Sequence, residues 1–377
     1  MPGRNLLVGL QTGDTLAMKK NDRDMPMHSN GAEKHAEKPN SGGGRRRPSG
    51  RVTLEDVARH AQVSTMTVSR ALRDPSLVSP SVRERVQAAV AQLGYIPNRA
   101  ASTLASARSK LIVVLVPSLS NAVFVETLAG VQDCVGPSGY QLLIGNTGYS
   151  PERQAELLQA YLSHAPDGFL VAGIDDSNAV RRHLAASGVP LVHMFDLTST
   201  DEWSVGFSQR RAGYAIGKHL IARGARRPGF IAAQLDPRTM QRRAGYRRAL
   251  REAGRDPGVE VLTKEPSSPA LGGALLKDLL SRTPKCDAVF CCNDDLALGA
   301  LFECQRLGIA VPRELAIVGF NDLPFAAVAS PTITTVATPR YAVGFEAARM
   351  LLRIVDGEVP EQRRIDLGFE LVVREST

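Results

Sequence analysis

Two groups of residues in this 377-residue chain have the types and spacing for recognition chemistry. Near the N-terminus, Thr65, Met66, Ser69 and Arg70 share one side of the stretch TMTVSRAL, with Val68 and Leu72 on the other. Arg70 offers a two-pronged donor for guanine, Met66 an apolar contact for a thymine methyl, and Thr65 a hydroxyl for a base edge or a phosphate. Further along, polar residues follow apolar runs. Asp196 follows VPLVHMF, Gln234 follows RPGFIAA, Asn293 and Asp294 follow DAVFCC, and Asn321 and Asp322 follow LAIVGF. Carboxylate and amide groups suit paired hydroxyls. Arg238 and Arg242 of DPRTMQRRAGYRRAL bring guanidinium forks to a helix start, where an anion is favoured. Asp294 and Asp322 read as helix caps, and Arg243, Arg247 and Arg248 as a solvated face.

The elements that position the first group are three short helices in residues 51–94. Thr53 with Asp56 forms a capping-box-like start. Leu54, Val57, Ala58 and Ala61 share one face. Gln62 and Val63 make a tight connection, and Ser64 caps the second helix. Ser79, with Pro80 in the first turn, opens a third helix that Gly94 stops. Two helices joined by a tight turn with small Ala58 at their crossing fit a helix-turn-helix, as does a three-helix domain that binds protein. Charge favours the former. Residues 1–50 carry nine Lys/Arg against five Asp/Glu, and residues 51–110 nine against four. The net charge of +8 therefore belongs to the N-terminal third, a field suited to a polyanion such as nucleic acid. Residues 1–50 read as a disordered basic tail. Residues 95–110 read as a helix or linker with Leu104 as its one large apolar residue after Ile96; such a helix is marginal alone.

Residues 111–377 alternate short apolar runs with helix-like segments such as Pro151–His164, Gly213–Arg223 and Ala270–Ser281. That pattern predicts parallel sheets covered on both faces, an α/β class. The units are too many for one ordinary sheet, so two doubly wound lobes are expected. Ligands of such folds sit at the carboxyl ends of the strands. The five cysteines form no metal-ligand spacing and read as free thiols of a reducing cytosol. No run is long enough for a signal peptide or a membrane span, so a cytoplasmic, nucleoid-associated location is expected. The first strand is not followed by GxGxxG, and neither GxxxxGK[ST] nor GxSxG occurs. A cofactor-dependent enzyme is therefore disfavoured, and no cofactor or metal is expected.

VTLEDVARHAQVSTMTVSRAL followed by VSPSVRERVQAAVAQLGYIPNRAASTLAS closely resembles the head-piece of the lactose-repressor (LacI) family. The resemblance extends over residues 51–377. It implies a head joined to a two-lobed domain like periplasmic sugar-binding proteins. It also implies that Asn98–Ser106 is a hinge helix that folds when two copies meet in the minor groove. Leu104 would be the wedge that parts a base step, the cost being offset by extra contact. Asn121 and Phe124, in PSLSNAVFVETLAG, match the effector-facing loop. Arg242, Asp196, Asn293 and Asn321 match ligand positions; many sugar-binding members carry Asp where this chain has Asn321. Within the family the likeness to gluconate-operon repressors is greatest, through GYQLLIGNTGYSPERQAELL, ARGARRPGFIAAQLDPRT, CCNDDLALGALFECQRLGIAVP and IDLGFEL.

The expected function is repression at a palindromic double-stranded operator by a homodimer, controlled by gluconate or a related sugar acid. A neutral sugar, sugar phosphate or purine co-repressor on the same architecture is the alternative. The chain ends at LVVREST without a heptad run, which favours a dimer over a tetramer.

Overall fold

The computed structural model describes residues 52–96, 108–173, 186–198 and 201–377. The tail and the hinge residues Asn98 and Leu104 lie outside the described residues. Contacts divide the chain at Ile96 and Pro97, two residues beyond the boundary read from the sequence.

The head holds α1 (Leu54–Ala61), α2 (Thr65–Arg73) and α3 (Pro80–Leu93). α1 begins with reciprocal bonds: Asp56 N–H donates to Thr53 Oγ1 at 3.3 Å, and Thr53 N–H to the Asp56 carboxylate at 3.0 Å. Gln62, at φ 53, ends α1, and Ser64 accepts from Thr67 N–H at 3.1 Å to start α2. Ser79 occupies the cap position of α3 but makes no side-chain cap bond, so Pro80 with its preset φ carries that start. Gly94, at φ 60, stops α3. Val57, Ala58, Ala61, Val68, Ala71, Val86 and Ala89 form the core, with Val82, Val90 and Leu93 packed against it.

In the body, one lobe is built on a six-stranded sheet and the other on a four-stranded sheet. The first sheet contains β1 (Leu111–Val116), β2 (Gln141–Asn146), β3 (Gly168–Ala172), β4 (Leu191–Phe195), β5 (Trp203–Gly206) and β11 (Arg364–Asp366), in the order β11-β5-β4-β3-β1-β2. All its pairings are parallel. Its faces are covered separately: Ile112, Val114 and Val116 enter one apolar cluster, and Val113 and Leu115 join Leu157 and Leu158 in another. This is the period of two expected of a strand buried on both sides. α4 (Ala122–Val135) and α5 (Pro151–Leu162) belong to this lobe.

The second lobe contains β6 (Pro228–Ala232), β7 (Glu260–Leu262), β8 (Ala288–Cys291) and β9 (Ala316–Val318), parallel in the order β7-β6-β8-β9. Around it lie α6 (Gln209–Ala222), α7 (Pro237–Glu252), α8 (Pro269–Arg282) and α9 (Asp294–Leu307). The chain crosses between lobes three times: from β5 to α6, from β10 (Thr335–Ala337) to α10 (Arg340–Val355), and from β11 to β12 (Glu370–Val372). The apolar runs read from the sequence, VPLVHMF, RPGFIAA, DAVFCC and LAIVGF among them, are strands, which bears out two doubly wound lobes. The short strands β5, β10, β11 and β12 lie outside those runs.

α6 and α7 approach so closely that glycine is required at their crossing. A Cβ on Gly213 would overlap the carbonyl of Arg242, and one on Gly245 the carbonyl of Arg210. The expected outcome of Gly213→Ala is a loss of about 1–3 kcal/mol in denaturant unfolding, since overpacking displaces backbone. An unchanged midpoint would mean the two helices separate freely.

Candidate functional site

The second head helix presents Thr65, Met66, Ser69 and Arg70 to solvent, while Val68 and Ala71 are buried. Met66 is 70% exposed, a large apolar side chain that nothing in the head covers. Arg70 has no carboxylate partner among the described residues, unlike Arg59, which pairs with Asp56 at 3.1 Å. The helix thus offers an uncommitted guanidinium, a methyl-seeking thioether and two hydroxyls on one side.

In the body, the strand ends of both lobes converge on a small cavity of about 30 Å³. Asn121, Phe124, Tyr149, Phe195, Gln209, Gln234, Asp236, Arg238, Arg242, Asn293 and Asn321 line it. That volume holds about one water and is far too small for a sugar acid. A ligand of that size must part the lobes or move side chains.

Arg242 and Arg238 are both buried, and their partners differ. Arg238 donates from Nε and Nη2 to one carboxylate oxygen of Asp236, at 3.0 and 2.7 Å. Asp236 is itself the cap of α7, accepting from Thr239 N–H at 2.8 Å. Burial would raise its carboxyl, but Arg238 and the Thr239 N–H hold it down at about 2. Arg242 donates instead to neutral acceptors: Nε to Gln209 Oε1 at 2.8 Å, and Nη1 to the Cys292 carbonyl at 2.8 Å and Asn293 Oδ1 at 3.2 Å. Its guanidinium lies 3.7 Å from the centre of the Phe320 ring. No carboxylate pairs with Arg242 among the described residues. Burial pushes its pKa down to about 10, so it remains a cation at neutral pH. Asp236 and Asp196 act on this charge from a distance without pairing with it, and a buried guanidinium whose hydrogen bonds all go to neutral acceptors suits an anionic ligand.

The cleft also concentrates backbone strain. Tyr149, Phe195, Gln234, Leu235, Asn321 and Asp322 all have positive φ, with Asn321 at 116°. Side chains other than glycine tolerate this only where the surroundings enforce it, and such positions gather at ligand sites.

Of the residues read from the sequence, Asn121, Phe124, Gln234, Arg238, Arg242, Asn293 and Asn321 line the cavity. Asp196 is not among the lining residues: it is 2% exposed, and both carboxylate oxygens are buried without a hydrogen-bond partner. Asp294 and Asp322 are not caps. The Asp294 carboxylate is buried in the second lobe, accepting from Thr335 Oγ1 at 2.6 Å and Leu323 N–H at 2.7 Å. Asp322 pairs with Arg374 at 2.7 Å. Arg243 is not fully solvated either, pairing with Glu260 at 2.5 Å. Tyr149, Gln209 and Asp236 escaped the sequence reading. Tyr149 follows the end of β2 and Gln209 opens α6, so the rule that found Gln234 reaches them too. His193 is a core residue, 3.3 Å from Glu202. All five cysteines are free.

Burial pushes the Asp196 carboxyl up from 3.8 to about 6, against the pull of Arg238. Below pH 3.8 the group is protonated in folded and unfolded chains alike. The cost of its charge grows as pH rises and is complete above 6. Asp196→Asn is therefore expected to stabilise the protein by about 3 kcal/mol at pH 7–8, with the gain vanishing near pH 3. Denaturant unfolding across that range checks it; an equal gain at every pH would contradict it.

Comparison with known proteins agrees with this geometry. The model of bacterial regulatory proteins of the lacI family matches residues 53–98, and that of the periplasmic binding protein-like domain residues 218–377. The HTH-type transcriptional regulator GntR of Pseudomonas aeruginosa is 48% identical over 88% of this chain and 97% of its own length. The crystal structure of transcription regulator GntR from Chromobacterium violaceum is 51% identical, covering 71% of this chain and 98% of that one with a TM-score of 0.69. The lac repressor dimer bound to operator and an anti-inducer is 27% identical, covering 86% and 99% with a TM-score of 0.77. With a helix-turn-helix head and a two-lobed ligand-binding body, the chain belongs to the LacI family of bacterial transcription regulators and is not an enzyme.

Proposed function

We propose that this regulator represses transcription from a palindromic operator as a homodimer in the cytoplasm, and that gluconate or a similar sugar acid in the cleft releases it. The observation that carries the ligand class is Arg242, a buried guanidinium without a carboxylate partner among the described residues. Arg238 is already neutralised by Asp236, so Arg242 takes the ligand carboxylate, and Asn293, Asn321 and Gln234 take hydroxyls. The GntR names of the relatives support the same class.

The 30 Å³ cavity supports coupling to DNA. A six-carbon acid cannot enter without moving side chains or parting the lobes; we propose the second route, and a ligand shifts an equilibrium only through different affinity for its two states. In this reading the movement reaches the hinge, where Asn98 and Leu104 lie, and lets the minor-groove wedge go. Exposed apolar residues on the body, Val125 of α4 and Phe302 of α9 among them, are available to a second copy. The lac repressor relative is described as a dimer on its operator. No described helix is long and apolar enough to cross a membrane.

The test is retention of a duplex selected by the protein from random sequence, at fixed salt because phosphate contacts are salt-dependent. Gluconate should release it at concentrations where glucose does not. Leu104→Ala should weaken specific binding at least tenfold while leaving ligand binding intact, and Arg70→Ala should cost about 1–3 kcal/mol of discrimination at one base pair. Release by glucose and gluconate alike would remove the sugar-acid reading.

A further inference from the structure

Arg340, the first residue of α10, makes contacts that serve neither the cavity lining nor a helix cap. It is 9% exposed. From Nε and Nη2 it donates to both carboxylate oxygens of Glu126, at 3.1 and 2.9 Å. From Nη1 it donates to the carbonyls of Asn321 and of Asp322, the latter at 3.3 Å. Glu126 is on α4 in the first lobe; Asn321 and Asp322 follow β9 in the second. One planar guanidinium thus joins the two walls of the cleft, since α4 also carries Asn121 and Phe124 and the β9 loop carries Asn321.

The two ends of this bridge are not equivalent. α10 packs into α4 at backbone distance: a Cβ on Gly130 would overlap the carbonyl of Tyr341, and one on Gly344 the carbonyl of Thr127. Helices interlocked in this way move together. Arg340 therefore travels with Glu126 and the first lobe. The bonds that a change of lobe angle must strain are those to Asn321 and Asp322. These carbonyls belong to residues at φ 116 and φ 56, a backbone that persists only where neighbours enforce it. Arg340 is one such neighbour, alongside Thr338 Oγ1, which donates to the Asn321 carbonyl at 3.5 Å, Thr335 Oγ1, which accepts from Asp322 N–H at 3.2 Å, and the Val336 carbonyl, which accepts from Asn321 N–H at 2.9 Å. Of these, Arg340 alone reaches the first lobe through Glu126.

We propose that Arg340 is the positioning residue that couples the cleft to the first lobe: it holds the Asn321–Asp322 turn in its strained form and ties it to helix α4. A ligand engaging Asn321 then pulls on α4 and α10 through one guanidinium. Planarity matters, because a fork can serve a carboxylate and two carbonyls at once where an ammonium cannot. This inference rests on the reading of the cleft as the effector site.

The test uses full-length protein and two measurements on Arg340→Lys, Arg340→Ala and Glu126→Gln. The first needs no ligand. Amide hydrogen exchange at Asn321–Leu323 should rise at least tenfold in Arg340→Ala, less in Arg340→Lys, with the β1 and β8 amides unchanged. The second is the ratio of operator affinity without and with gluconate, which should fall at least fivefold in Arg340→Ala relative to wild type. Glu126→Gln, whose side chain is 44% exposed, should fold normally and show an intermediate loss in both. Unchanged exchange at Asn321–Leu323, or exchange raised equally throughout the body, overturns the proposal. If wild-type protein does not respond to gluconate, the effector reading fails and the exchange measurement still decides the role of Arg340.

Discussion

A guanidinium taken out of water must recover its lost solvation from what surrounds it, and Arg242 does so without a carboxylate. Gln209, Cys292 and Asn293 supply neutral acceptors and Phe320 supplies its ring face. These partners come from α6, from the end of β8 with its following turn, and from the end of β9. The arrangement needs the second lobe complete before the charge can be held. It leaves a positive charge unbalanced by a direct ion pair, next to a pair, Arg238 with Asp236, that is balanced. In the proposed function, the difference between these two arginines is what would direct an anion to one place and neutral groups to the positions around it.

The rest of the body serves that placement. Parallel strands bring loops of both lobes to one end, and three crossings join the lobes. Glycines at the α6–α7 and α4–α10 contacts let backbones touch, so each lobe is stiff where it meets the cleft. In the proposed function, stiff lobes around so small a cavity favour an answer to ligand by movement of whole bodies over local give. The head needs less: a core of small residues and three helices is enough to hold four recognition side chains outward.

Much of this was legible in the sequence, for physical reasons that differ by element. The head was readable because helix period and cap chemistry are local: Thr53, Asp56 and Ser64 act within four residues of themselves. The strands were readable because burial on both faces leaves near-continuous apolar runs, whereas β11 and β12 keep exposed polar positions and β5 and β10 carry Ser and Thr among few apolar residues. Asn293, Asn321 and Gln234 followed from the position of polar residues after strands, and Arg242 from guanidinium groups at a helix start and from the family resemblance. Pairings were not readable. That Asp236 neutralises Arg238, or that Arg340 reaches Glu126 across 214 positions, depends on the assembled fold. For the same reason Asp294 reads as a cap in the sequence yet binds Thr335 in the structure, and the sequence does not show that the Asp196 carboxylate is buried without a hydrogen-bond partner.

The central claim is that the unpaired charge of Arg242 makes the cleft an anion site. Calorimetric titration of the purified protein with gluconate and with sorbitol, a neutral polyol of the same length, tests it most directly. The expected result is saturable gluconate binding at least a hundredfold tighter than sorbitol, with the preference collapsing in Arg242→Gln. Equal binding of the two, or a gluconate preference that survives Arg242→Gln, would contradict it.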